Sequence, residues 1–118
     1  MDTEIGTASA LKMSYAGITK GCTALGAAML LAASRAGVSE ALLAELGASQ
    51  LTILARLEKA IPEMLPKAHR WAPEMAEITD FIGETRSEAG VYQALSRFYR
   101  QLAQGPDREW LDAVFGSG

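Results

Sequence analysis

The stretch from Gly6 to Gly37 most constrains how this chain can fold, because it lacks proline and its pattern suits one long helix. Its charged residues are Lys12, Lys20 and Arg35. Apolar and small residues recur in alternating steps of four and three and form an apolar stripe: Leu11, Tyr15, Ile18, Cys22, Leu25, Met29, Ala32 and Ala36. A second face carries small residues: Gly17, Gly21, Ala24 and Ala28. Because a helix that is apolar or small almost all round is typically buried, we expect a buried central helix with Lys12 as an unpaired ammonium.

Length and composition bound the class of protein. With 118 residues the chain suits a single domain, residues 1–118. A hydrophobic content of 49% predicts that another chain or domain covers some apolar surface, and a net charge of −3 argues against nucleic-acid binding. Cys22, the one cysteine, excludes an intrachain disulfide and is expected to be a small core residue.

A membrane span and a secretory signal both fit poorly. Residues 21–34 are uncharged but number 14, whereas a span needs about 20 apolar residues. The N-terminus is acidic, with Asp2 and Glu4, whereas a signal peptide begins with basic residues. We therefore expect a soluble, cytoplasmic protein.

The remaining chain divides into shorter helices. Ser39, Ser49 and Asp107 are predicted N-caps, and Gly47 and Gly83 are predicted helix ends. The other predicted boundaries are the start of the long helix near Thr7 or Ser9, breaks at Pro62 and Pro66, and further starts at Pro73 and Ser87. The predicted inward residues are Leu51, Leu54, Leu57, Ile61, Met75, Ile78, Ile82, Val91, Leu95, Phe98 and Leu102. No segment alternates as a strand does, so the sequence predicts an all-α fold of five or six helices around one long helix.

Several kinds of active site are excluded. No glycine-rich loop follows a strand, so the chain has no ordinary nucleotide site. One histidine and one cysteine cannot form a zinc site, and no Gly-x-Ser-x-Gly motif is present. Any chemistry must therefore use a few groups of a site completed elsewhere.

Lys12 is the strongest candidate for chemistry. A desolvated lysine can give or take a proton as a general acid or base. Ser9 and Tyr15 lie one helical turn away and are candidate substrate-binding hydroxyls. The alternative is that Lys12 extends its ammonium to solvent while its stem covers apolar surface, and Lys20 is expected to be an ordinary surface or interface lysine.

A second candidate group lies in the segment AHRWAPEMAE, residues 68–77. His69 or Arg70 could anchor an anionic substrate or cofactor group. The alternative is structural: Glu74 and Glu77 pair with Arg70 or His69 while Trp71 fills the core. Both interpretations remain open on the sequence.

The segment GTASALK, residues 6–12, resembles the start of the C-terminal domain in β-hydroxyacid dehydrogenases and their 6-phosphogluconate-dehydrogenase-like relatives. Those proteins have a glycine, a small residue two positions on and a catalytic lysine six positions on, at the head of a long helix. The long helix together with AHRWAPEMAEI is more similar still to a subgroup of NAD(P)-dependent oxidoreductases whose C-terminal part is called DUF1932. The resemblance covers roughly residues 6–104.

The resemblance implies an all-helical domain that follows an N-terminal Rossmann domain not present in these 118 residues. It implies NAD or NADP as cofactor, held mainly by that other domain, and a hydride transfer at a hydroxy or keto carbon. Lys12 would be the general acid or base. Relatives often carry two asparagines where this chain has Tyr15 and Ala16, which puts a standard β-hydroxyacid substrate in doubt. The resemblance also implies a homodimer with the long helix central or near the interface.

The leading hypothesis is therefore the substrate-binding and dimerisation domain of an NAD(P)-dependent oxidoreductase, inactive on its own. An alternative is a helical dimerisation or ligand-binding module without chemistry. A membrane-associated helix protein is a third.

Overall fold

The computed structural model describes the backbone of residues 3–115 and the side chains of residues 6–115. Within residues 3–115 the chain is all-α, which confirms the predicted class. The helices are α1 (Thr3–Arg35), α2 (Ser39–Ser49), α3 (Leu51–Met64), α4 (Ala68–Ile82), α5 (Ala89–Leu102) and α6 (Pro106–Phe115). A 3₁₀ turn, Leu65–Lys67, connects α3 to α4.

The long helix α1 is the axis of the domain. Its 33 residues extend about 50 Å at 1.5 Å per residue, and the longest dimension of the molecule is 51 Å. It contacts each of the other five α-helices, as expected of a central helix. Gly37 follows its end with φ +77°. The Val38 amide bonds the Ala33 carbonyl (2.8 Å) and the Gly37 amide bonds the Ser34 carbonyl (3.0 Å), the Schellman pattern that glycine permits.

The apolar stripe of α1 faces outward, so the prediction that it is buried was wrong. The exposed fractions of its large members are Leu11 70%, Tyr15 69%, Ile18 67%, Leu25 55% and Met29 60%. Cys22, predicted to be a core residue, is exposed as well. The neighbouring helices pack instead against the small-residue face, because glycine and alanine allow closer helix–helix approach than leucine does.

The small-residue face of α1 is buried against α5 and α3. The Tyr92 ring lies over Gly17 and Gly21, and its hydroxyl donates a hydrogen bond to the Gly17 carbonyl oxygen at 3.0 Å. A Cβ at Gly26 would lie 2.4 Å from Leu57 Cδ2. Among the described residues, the largest fully buried side chains are Tyr99, Leu30, Ile61, Met64, Met75, Leu102 and Leu111.

Several predicted helix boundaries were wrong. Ser39 is the first residue of α2 and makes no capping hydrogen bond, and Gly47 lies inside that helix. Ser49 ends α2, and its hydroxyl donates to the Glu45 carbonyl rather than capping α3. Pro62 and Pro73 lie inside α3 and α4. A proline ring costs one backbone hydrogen bond, and here tertiary packing retains the helix despite that loss.

Other boundaries were close. Gly83 ends α4 with φ +104°. Helix α5 begins two residues after Ser87, and Asp107 lies in the first turn of α6. Six of the predicted inward residues are buried: Leu57, Ile61, Met75, Ile78, Leu95 and Leu102. Leu51 (66% exposed) and Val91 (47% exposed) are not buried, so these two predictions were wrong.

Candidate functional site

A cleft with a volume of about 300 Å³ lies between α1 and α4, and Lys12 is one of the residues that line it. Helix α1 supplies its lining residues at helical spacing, so that they share one face: Ser9, Lys12, Met13 and Ala16. Helix α4 supplies the facing residues in the same way: Glu74, Glu77 and Ile78. We call this the Lys12 cleft. It combines an ammonium, a hydroxyl and two carboxylates with an apolar lining.

The Lys12 side chain is exposed, so the prediction of a buried ammonium was wrong. Neither ion pair found between the described residues includes Lys12. Its ammonium is therefore available to a molecule in the cleft. Ser9, also exposed, lies one turn earlier on the same wall, as the sequence predicted.

Glu74 connects the Lys12 cleft to the interior of the domain. The Lys20 ammonium forms an ion pair with its carboxylate and contacts both oxygens, Oε2 at 2.9 Å. The same ammonium lies 4.7 Å from the centre of the Trp71 ring, close enough for a cation–π interaction. Of the two alternatives expected for Lys20, a surface or an interface lysine, the structure favours the second, because its side chain is only 23% exposed and contacts two residues of α4.

Beneath this ion pair the Tyr99 phenol is fully buried. Its hydroxyl donates a hydrogen bond to the Lys20 carbonyl at 2.5 Å, and its ring meets the Trp71 ring edge-on at 5.5 Å. Burial raises the pKa of Tyr99 well above its usual value, and the negative charge of Glu74 adds to that increase. The phenol therefore stays protonated and acts as a fixed donor that holds α5 against α1.

The structure separates the other predicted site residues from Lys12. Tyr15 lies on the exposed apolar stripe and does not line the Lys12 cleft. His69 and Arg70 are exposed in the first turn of α4 and do not line it either. The structural alternative, in which Glu74 and Glu77 pair with His69 or Arg70, is not found among the described residues: Glu74 pairs with Lys20, and neither ion pair includes Glu77, His69 or Arg70. The roles suggested for Tyr15, His69 and Arg70 stay predictions.

The sequence did not predict that Glu74 and Glu77 line the same cleft as Lys12. Two patterns in the sequence indicate this arrangement. Lys12 and Lys20 are eight residues apart with Ala16 between them, so that all three lie close to one side of α1. Glu74, Glu77 and Ile78 have the i, i+3, i+4 spacing of a single face on α4. The contact between these two faces depends on the tertiary fold.

A second, apolar concavity adjoins the stripe. It has a volume of about 370 Å³ and lies between α1, α2 and α3. Its lining is almost entirely apolar: Cys22, Leu25, Gly26, Met29, Leu30, Leu42, Leu46, Ile53 and Leu57, with Arg56 at the edge. We call this the apolar groove. Because Cys22, Leu25 and Met29 belong to both features, the groove and the stripe form one continuous surface.

Comparison with known protein families identifies the domain. The model of the family described as a domain of unknown function, DUF1932, matches residues 33–102, more than half of the chain. The chain belongs to the DUF1932 family. This domain is found at the C-terminus of NAD(P)-dependent dehydrogenases. The matched residues of this DUF1932 chain include Glu74 and Glu77 but not Lys12. No curated protein and no solved structure matches the chain.

Proposed function

We propose that this DUF1932 domain is the substrate-binding part of an NAD(P)-dependent oxidoreductase in which Lys12 is the general acid or base. The observation that carries the proposal is the Lys12 cleft, where the Ser9 hydroxyl shares one wall with an ammonium that forms no ion pair among residues 6–115. In the oxidation of a hydroxyl group, Lys12 would take the proton from the substrate oxygen; in the reduction of a carbonyl group, it would return it. Ser9 would hold the same oxygen by a hydrogen bond.

The described residues do not themselves fit a dinucleotide. The regular secondary structure of residues 3–115 is all helical, whereas a pyrophosphate is ordinarily held where a strand passes through a glycine-rich turn into a helix. The cofactor, NAD or NADP, would be held mainly by a Rossmann domain of the same polypeptide, and it supplies or accepts the hydride. This chain would contribute the proton-transfer group and the substrate contacts. A cytoplasmic location stays a prediction.

We also propose that the domain forms a homodimer through the apolar stripe and the apolar groove. The stripe repeats in steps of four and three, the spacing by which one helix packs along another. A second copy would present the same stripe, and an isologous pair would cover both copies at once.

The apolar length of Gly6–Arg35 would also suit a membrane crossing, but 44% of its most apolar window is buried within the domain.

The coding sequence upstream of Met1 separates the oxidoreductase from a helical module without chemistry. We expect it to encode a strand followed by Gly-x-Gly-x-x-Gly. The protein containing both domains should then consume reduced nicotinamide with small keto compounds, whereas the 118-residue chain should not. A gene that begins at Met1, with no Rossmann partner encoded nearby, would overturn the oxidoreductase proposal in favour of the helical module.

A further inference from the structure

Two opposite charges line the Lys12 cleft without binding each other. The Lys12 ammonium lies on the α1 wall and the Glu77 carboxylate on the α4 wall, and the two form no ion pair. Glu77 is exposed, and neither ion pair of the described residues includes it. Both charged groups can therefore contact a molecule that enters between them.

Glu74, the other carboxylate of the cleft, is already neutralised. Lys20, which does not line the cleft, contacts both of its oxygens. The remaining charged groups are then one ammonium and one carboxylate, above an apolar surface of Met13, Ala16 and Ile78. A ligand that complements this arrangement has a short apolar body, an oxygen that accepts from Lys12 and a positively charged donor for Glu77.

We infer that Glu77 binds a protonated amino group of the substrate, so that the preferred substrates are small amino alcohols or amino ketones. This inference rests on the proposed function, because it assigns Lys12 to the reacting oxygen. A hydroxy acid that placed the same oxygen at Lys12 would bring its carboxylate towards Glu77, and like charges repel. A neutral diol avoids the repulsion but forms only an uncharged hydrogen bond, which is weaker.

Binding to the 118-residue chain tests this inference without any turnover. Three ligands share a three-carbon chain with a hydroxyl on the second carbon and differ in charge: 1-amino-2-propanol, 1,2-propanediol and lactate. Titration followed by ¹H–¹⁵N spectra should show shifts of the Lys12, Met13 and Glu77 amides that are strongest and saturate earliest with the amine. The substitution Glu77→Gln should weaken amine binding by about threefold or more, the scale of an exposed charge pair. Higher salt should weaken it in the same direction.

Asp80→Asn is the matched control, since Asp80 lies one turn after Glu77 on α4, is exposed and does not line the cleft. It should leave amine binding unchanged. Equal binding of the diol and the amine, or equal loss in both variants, would overturn the inference. The proposed function is tested separately, by the turnover of the Lys12→Met enzyme. Undiminished turnover of that variant would overturn the proposed function, whatever these titrations show.

Discussion

Lys20 on α1 and Glu74 on α4 form an ion pair that joins the two walls of the Lys12 cleft. The Lys20 ammonium of this pair also lies over the Trp71 ring, and the Tyr99 hydroxyl donates a hydrogen bond to the Lys20 carbonyl oxygen. The cleft is thus built on a set of interactions that fix the spacing of α1 and α4. The groups that face the ligand, Lys12 and Glu77, form no ion pair with any other residue whose side chain the structure describes.

Removing the Lys20–Glu74 pair should cost little stability. Both side chains are partly exposed, 23% for Lys20 and 38% for Glu74, so water already screens their attraction. We expect a coupling free energy of about 0.5–1 kcal/mol between Lys20→Met and Glu74→Gln. A double-mutant cycle by urea denaturation measures it. A coupling indistinguishable from zero would show that the pair contributes nothing to the link between α1 and α4.

Tyr99 should make stability depend on alkaline pH. Burial raises its pKa in the folded state above the ordinary value of 10.0. The unfolded chain therefore releases the phenolic proton first as the pH rises, so stability is fully present below about pH 10 and declines above it. Tyr99→Phe should cost about 1 kcal/mol at neutral pH from the lost hydrogen bond. Comparison of denaturation midpoints should also show a smaller alkaline decline for this variant than for the wild type, and equal declines would contradict the account.

Two glycine-to-alanine substitutions should have opposite effects. A Cβ at Gly26 would lie 2.4 Å from Leu57 Cδ2 and 2.9 Å from Leu57 Cδ1, so Gly26→Ala forces the buried Leu57 side chain to move. At Gly47 the nearest atom is 3.5 Å away, an ordinary contact inside α2. We expect Gly47→Ala to stabilise by about 0.5–1 kcal/mol and Gly26→Ala to destabilise by about 1–2 kcal/mol. Thermal unfolding of the two variants would refute this packing if Gly26→Ala were the more stable.

Leu25→Glu should dissociate the proposed dimer. Leu25 is 55% exposed and belongs to both the apolar stripe and the apolar groove, so a carboxylate there would be buried in the interface. Leu51→Glu is the matched control, because Leu51 is 66% exposed but lies on neither surface. Light scattering after size-exclusion chromatography should give a dimer for the wild type and Leu51→Glu, and a monomer for Leu25→Glu. A monomeric wild type would reject the dimer, and partition into detergent would favour a membrane role instead.

The sequence predicted the helices better than it predicted the faces they bury. Gly37 and Gly83 end α1 and α4 as expected, because glycine adopts a positive φ more readily than any other residue type. The exposed side of α1 was misjudged because a regular apolar stripe has the same pattern whether it packs inside its own domain or against another molecule. Helical spacing placed Ser9 beside Lys12 on one wall correctly, but it also placed Tyr15 there, and Tyr15 lies on the exposed stripe. The position of Glu77 opposite Lys12 depends on the contact between α1 and α4, which no local sequence pattern predicts.

The turnover of Lys12 variants tests the central claim most directly. In the enzyme that contains both domains, Lys12→Met should lower kcat by about 10²–10⁴-fold, while NAD(P)H binding and the unfolding temperature stay unchanged. Lys59→Met is the control, because Lys59 is an exposed lysine of α3 that does not line the cleft. It should retain full turnover. Full turnover of Lys12→Met would contradict the account and remove Lys12 from the reaction.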